Sequence, residues 1–119
     1  MLDFDFEATI SIDDFEQAFD RILVDYVLLR PAMWAGTVNY DVVCGFVTGM
    51  LIAFQVTGKG PSIHDWGFAA FLKKRFSAPS TIPWHRVYTF PENFSEQDKI
   101  DRLRQDLSDY LNPLIRLAV

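Results

Sequence analysis

The sequence has few of the residues that build disulfides and metal centres. Among its 119 residues are one cysteine, Cys44, and two histidines, His64 and His85. A single cysteine cannot form a disulfide within the chain, which fits a reducing compartment, and we predict a cytoplasmic protein. The chain contains neither H-E-x-x-H nor C-x-x-C, so we predict no metal site and no cofactor.

Two stretches match catalytic or phosphate-binding motifs only in part. Ser62, His64 and Asp65 lie close in sequence, but a helix cap explains Ser62 and Asp65 better than a nucleophile with its base does. The stretch TGKGPS at 57–62 lacks the pattern G-x-x-x-x-G-K-[ST] and favours a glycine helix stop followed by a turn. We therefore predict that the protein is not an enzyme.

No hydrophobic run is long enough to cross a bilayer. The longest, VVCGFVTGMLIAFQV at 42–56, falls short of the roughly 18–20 residues needed and is preceded by Asp41. We expect it to form the central, most buried helix, in which Gly45 and Gly49 let another helix approach closely. The acidic start of the chain also predicts no signal peptide and no membrane partner.

What the chain does contain is enough apolar surface for a core, since 50% of its residues are hydrophobic and 15% are aromatic. We predict one domain, 1–119, that is mainly α: a compact bundle of four to five helices with a short N-terminal β element. Residues 2–10 alternate apolar and polar, as a half-buried strand or arm does. The helical body at 11–119 is predicted to contain these elements: 12–29, 38–57, 63–76, a short helix or strand at Trp84, and 96–111.

Helix boundaries follow from caps and breakers. Three helix starts carry Ser-x-x-Asp: SIDD, SIHD and SEQD. Pro31 is expected to end the first helix, and Met33 and Trp34, in the stretch RPAMWAG, to fill the space between the first two helices. The apolar stripe of the first helix is predicted to consist of Phe15, Phe19, Ile22, Leu23, Tyr26 and Leu29.

The formal net charge of −5 is unevenly distributed. Residues 1–28 hold eight acids against one base, whereas residues 59–86 hold five bases against one acid. Acids at Asp13, Glu16 and Asp20 share one helical face, which is either a solvated polar surface or a docking surface for a basic protein. An acidic chain is a poor nucleic-acid binder, so we predict no nucleic-acid partner.

The order of motifs resembles a group of small bacterial proteins. The resemblance covers about residues 20–111 and depends on RPAMWAG, the glycine-containing helix YDVVCGFVTGMLIAF, HDWGFAAFLKKRF and STIPWHRVYTF. Ala32 departs from it, because glycine is commoner at that place. Members resemble immunity-type accessories of polymorphic toxin systems, which implies a non-enzymatic binder and supplies no catalytic residue.

Two functions follow as hypotheses. The first is an immunity protein that neutralises a basic toxin domain by covering its active site, with Asp13, Glu16 and Asp20 at the interface. The alternative is a small-molecule-binding regulator whose pocket is lined by Trp34, Trp66 and Trp84. The apolar helix at 38–57 and the many phenylalanines also leave a homodimer open.

Overall fold

The predicted fold class is confirmed by a computed structural model, which describes residues 12–58, 62 and 65–112, the side chains of 12–14 excepted. Within these ranges the chain forms helices and no strand. The helices are α1 (Ile12–Ile22), a π-helical turn (Leu23–Val27), α2 (Pro31–Ala35), α3 (Tyr40–Val56), α4 (Gly67–Arg75), a 3-10 turn (Trp84–Arg86) and α5 (Glu96–Leu111). The strand predicted at 2–10 and the cap predicted at Ser11 lie outside the described residues.

The closing helix α5 is the element around which the others pack. It contacts α1, the π turn, α3 and α4. Its buried side carries Ile100, Leu103 and Leu107, which are all in the core. The predicted cap is also confirmed: the Ser95 hydroxyl accepts from the backbone N–H of Asp98 at 3.1 Å, and the Asp98 carboxylate accepts from the N–H of Ser95 at 3.0 Å.

Helix α3 begins two residues later and ends one residue earlier than the predicted 38–57. The Asn39 side chain caps it by accepting from the N–H of Val42 at 3.0 Å. A second bond fixes its start, because the N–H of Tyr40 donates to the carboxylate of Glu96 at 2.9 Å. Just past its end, Gly58 has φ of +74°, a left-handed conformation that glycine adopts without strain.

The prediction that α3 is the central, buried helix is wrong. One side packs in the core, but the other is exposed along its length, although it too is apolar. A Cβ added at Gly45 or Gly49 would meet nothing within 4 Å, so no other part of the described chain approaches these glycines. The exposed side comprises Val42, Gly45, Gly49, Ile52, Ala53 and Val56. Apolar residues on every side of a helix allow it to be buried. How much of its surface is actually buried depends on how many other helices pack against it.

The apolar stripe predicted for the first helix is only half right. The buried half consists of Phe15, Phe19 and Leu23. The exposed half consists of Ile22, Tyr26 and Leu29. The π turn explains the change after Leu23, because its hydrogen bond from the N–H of Leu28 to the carbonyl of Leu23 (2.8 Å) encloses one more residue than an α turn. This extra residue rotates Val27 and Leu28 into the core and turns Tyr26 outward.

Helix α4 begins four residues later than predicted. Ser62 and Asp65 do bond to each other, with the Asp65 N–H 3.2 Å from the Ser62 hydroxyl, but they form a turn before the helix. The first N–H of the helix, at Gly67, donates instead to the Glu16 carboxylate of α1 at 2.6 Å. A Cβ at Gly67 would collide with the Tyr110 hydroxyl and crowd Glu16, so any other residue here would require these side chains to shift.

Two glycine substitutions distinguish open from crowded helix surface. Gly49→Ala should raise the free energy of unfolding by about 0.5–1 kcal/mol, because alanine has the higher helix propensity and its methyl group meets open space. Gly67→Ala should lower it by about 1–2 kcal/mol, because Tyr110 and Glu16 must shift. Urea denaturation measures both, and equal effects of the two substitutions would contradict the described packing around α4.

Candidate partner-binding surface

The acidic surface predicted on α1 does not include Asp20, because this residue is buried. This residue is only 1% exposed, and its carboxylate accepts from the indole N–H of Trp66 at 2.8 Å. Glu16 is half-buried and holds the first N–H of α4. The side chain of Asp13 lies outside the described residues. The prediction was wrong about Asp20 because a buried indole N–H needs an acceptor, and α1 supplies it from its polar side.

Burial changes the acidity of Asp20. Removal from water raises its pKa to about 7, the Trp66 hydrogen bond acts in the opposite direction, and the charge of Glu16 adds to the rise. A carboxyl group near half-protonation at neutral pH, enclosed in the core, does not attract a basic partner. Its observed contacts assign it a structural role, which is to hold α4 against α1.

The three tryptophans do not line one pocket. Trp66 is fully buried and packs edge-on against Trp84, with ring centroids 5.2 Å apart. Both rings belong to an aromatic core that also contains Phe19 and Phe68. Trp34 is 46% exposed and lies on a different element, α2. The prediction that these residues line one pocket is therefore wrong, since Trp84 borders one cavity and Trp34 borders a different one.

The stretch RPAMWAG forms a short exposed helix instead of a filler. Pro31 does not simply end the first helix, because it also begins α2, where its fixed φ suits the first helical position. Its own ring is buried, whereas Met33 is 66% exposed and Trp34 is 46% exposed. Gly36, with φ of +82°, closes the helix in the left-handed conformation. The prediction that Met33 and Trp34 seal an internal space is wrong.

These exposed side chains form a patch, which we define as Tyr26, Leu29, Arg30, Met33 and Trp34. Together with Asp25 at its edge, the patch surrounds a depression of about 300 Å³. Among the described residues, all the large hydrophobic side chains that are exposed come from residues 22–56. They are Ile22, Tyr26, Leu29, Met33, Trp34, Val38, Val42, Ile52 and Val56. Among the described residues, the exposed apolar surface is thus concentrated on α1 to α3, and the patch is its aromatic part.

Hydrogen bonds fix the backbone of the residues that form the patch. In the π turn, the carbonyl of Val24 accepts from the Arg104 side chain of α5 at 2.8 Å. The N–H of Arg30 then donates to the carbonyl of Tyr26 at 3.1 Å, and the N–H of Met33 donates to the carbonyl of Arg30 at 3.1 Å. These bonds fix the relative positions of Tyr26, Arg30 and Met33. π turns occur often at functional sites, and sequence periodicity did not reveal this one.

The described residues contain little reactive chemistry. Burial raises the pKa of Cys44 to about 12, so its sulfur is a protonated, poorly nucleophilic thiol at neutral pH. In the described part of the chain, no three histidine, cysteine, aspartate or glutamate side chains group to hold a metal ion. Nor do the described helices include one with the length and apolar character to span a membrane.

The most connected polar group is the Asp106 carboxylate, which is buried on α5. It accepts from the Tyr88 hydroxyl at 2.5 Å, from Arg75 at 3.1 Å and from Arg102 at 3.2 Å. Arg75 also bonds Asp109 at 3.0 Å. These three donors satisfy the buried charge and join α4 and the loop before α5 to α5 itself. The contacts of Asp106 therefore assign it a structural role.

Comparison with family models, curated proteins and solved structures finds no match for this chain. The resemblance to immunity-type accessory proteins therefore stays a prediction from the sequence motifs.

The raised pKa of Asp20 predicts that stability falls with rising pH. Its ordinary pKa of 3.8 applies to the unfolded chain and its value in the fold is about 7. Between these values the folded state keeps a proton that the unfolded chain has released, so the free energy of unfolding decreases as pH rises. Asp20→Asn keeps an oxygen for the Trp66 indole but cannot ionise. Its stability relative to wild type should rise between pH 5 and pH 8 by on the order of 2 kcal/mol.

Urea denaturation at the two pH values measures this difference. Asp25→Asn, the same change at an exposed position on the π turn, is the control for the loss of one carboxylate. A wild-type curve that Asp20→Asn does not flatten would contradict the burial of an ionisable Asp20.

Proposed function

We propose that this protein is a non-enzymatic protein-binding protein, and that it binds its partner through the patch on the π turn and α2. The observation that supports this most directly is the exposure of Met33 and Trp34 beside a depression of about 300 Å³. Leaving large apolar side chains in water at one place costs free energy, and folding alone gives no reason for that exposure.

The residue types of the patch are those that contribute most binding energy at protein interfaces. Trp, Tyr, Arg and Met are enriched there, and a few well-packed members of a patch usually dominate affinity. The depression can receive an apolar side chain of the partner. Asp25 and Arg30, both exposed at its edge, can pair with charges around that side chain and fix its orientation.

The partner that fits best is a basic protein domain. The chain has a formal net charge of −5, which attracts a positive surface and speeds association. Combined with the resemblance of the RPAMWAG region to immunity-type accessories, this supports a specific role. In that role the protein neutralises a cognate toxin domain by covering its active site, and Trp34 and Met33 anchor the complex in place of the acidic face predicted from sequence.

The proposal predicts that Trp34→Ala weakens partner binding without unfolding the protein. Because Trp34 is half exposed, we expect its truncation to change stability far less than loss of a buried ring would. Affinity should fall about 30-fold or more, as for truncation of an interface anchor. The partner to use is the toxin-type protein encoded beside this chain's gene, with affinity measured by biolayer interferometry and protection measured by growth during co-expression.

Val56→Ser is the matched control, because Val56 is an exposed apolar residue on α3 that does not border the depression. It should leave both affinity and protection unchanged. The proposed surface is wrong if Trp34→Ala binds like wild type. The immunity role is wrong if the neighbouring gene product neither binds this protein nor impairs growth in its absence.

A further inference from the structure

We propose a second, independent site: a groove between α4 and the loop that follows it, which binds a small organic anion carrying an apolar group. The groove consists of two adjoining cavities of about 300 and 650 Å³, which share Ala69, Lys73 and Ser80. It lies on α4, its loop and the 3-10 turn, whereas the proposed partner-binding patch lies on the π turn and α2. The site therefore does not depend on the proposed function.

The loop that forms one wall of the groove is fastened to α4. The Lys73 ammonium donates to the carbonyl of Ser80 at 2.9 Å, and the N–H of Ala78 donates to the carbonyl of Lys73 at 2.8 Å. Ser77, which lies between Lys73 and Ser80 in the sequence, adopts φ of +51°, and this turns the chain back over the helix. Because these bonds hold the loop, the groove exists without a ligand, and binding costs little reorganisation.

The opposite wall of the smaller cavity is apolar and rigid. It includes Ile82, Pro83 and the buried ring of Trp84. The Trp84 indole N–H donates to the Thr48 hydroxyl at 3.1 Å, and that hydroxyl donates to the carbonyl of Cys44 at 2.9 Å. The indole N–H is thus used within the protein, and Trp84 offers its ring to an apolar part of a ligand.

The groove is positively charged in an acidic protein. Among the described residues that border the two cavities, none is an aspartate or glutamate, but Lys73 and Lys74 both border the larger one. Within the described residues, neither lysine has a carboxylate within 4.0 Å. The adjacent Arg75, by contrast, is paired with Asp106 at 3.1 Å. Two ammonium groups that no described carboxylate neutralises, placed at one opening, favour a carboxylate or phosphate group.

His85 supplies a further observation at the smaller cavity, which it borders. Its Nδ1 atom is buried and has no hydrogen-bond partner in the described part of the chain. Burial and the neighbouring charge of Arg86 lower the pKa of His85, whereas the charge of Asp41 acts in the opposite direction. A buried nitrogen of this kind is uncommon in folded proteins.

These features together define the ligand class. An anionic group lies at Lys73 and Lys74, near the hydroxyls of Ser80 and Thr81, and a ring or short alkyl group packs on the Trp84 side. The smaller cavity, at about 300 Å³, is at the lower end of the volumes of small-molecule sites. It suits a compact aromatic or branched acid.

The test is an NMR titration of the whole chain with three probes: benzoate, which has both groups, benzamide, which lacks the charge, and inorganic phosphate, which lacks the ring. The readout is the indole N–H signal of Trp84, with that of Trp34 as the internal reference, because Trp34 does not border the groove. Benzoate should shift the Trp84 signal saturably. Benzamide and phosphate should each require at least about tenfold higher concentration, since each lacks one of the two contacts.

Substitution then tests the assigned lysine. Lys73→Gln removes the charge but keeps a donor for the Ser80 carbonyl, and should weaken benzoate binding about tenfold. Arg21→Gln makes the same charge change at an exposed position on α1 and should leave binding unchanged. If Lys73→Gln disturbs the loop, Lys74→Gln, at an exposed residue of the same opening, gives a second measure and should weaken binding severalfold.

Three results would overturn the site. One is the absence of a saturable Trp84 shift with benzoate. Another is equal binding of benzamide and benzoate, which would show an apolar contact without anion recognition. The third is equal loss in Lys73→Gln and Arg21→Gln, which would show a general charge effect. Tighter binding of phosphate than of benzoate would show that the groove recognises an inorganic anion. It would also refute the proposed contact of the ligand with Trp84.

Discussion

The hydrogen bond between the Trp66 indole and the Asp20 carboxylate is the contact on which the rest of the fold depends. It is fully buried and joins α1 to the start of α4 across 46 residues of sequence. Around the same indole lie the rings of Phe19, Phe68 and Trp84, which come from α1, α4 and the 3-10 turn. Moving Trp66 would therefore disturb three elements and leave a buried carboxyl group unpaired.

This constraint has a consequence at the surface. Since Asp20 and Glu16 hold α4, these two carboxylates of α1 are used inside the molecule. The π turn acts in the opposite sense on an apolar residue, because its extra residue turns Tyr26 out to solvent. Polar groups thus stabilise the interior, and the side chains offered to a partner are apolar and aromatic.

The molecule presents two surfaces of different chemistry. The patch on the π turn and α2 is apolar with one charge of each sign at its depression, which suits a protein partner. The groove between α4 and its loop combines two lysines with the Trp84 ring, which suits a small organic anion. Helix α5 lies behind both, because Arg104 supports the π turn and Asp106 anchors Arg75 at the end of α4.

Local patterns in the sequence determined much of the secondary structure. The helix at 96–111, its Ser95 and Asp98 cap, the Asn39 cap and the Gly58 stop all follow from side chains that bond or free the backbone within a few residues. For the same reason the mainly α fold class was predictable. These interactions do not depend on what the rest of the chain does.

The tertiary structure alone decided which faces are inside. Sequence periodicity placed Asp20 outside, and the reverse is observed, because the acceptor that a buried Trp66 requires lies on another helix. Trp34 was expected to fill an internal space and is exposed instead. Periodicity also assumed an unbroken α-helix through 12–29, whereas a π turn stabilised by Arg104, 80 residues from Val24, rotates the last turn. Contacts between distant segments set burial, and burial determines which residues remain available to a partner.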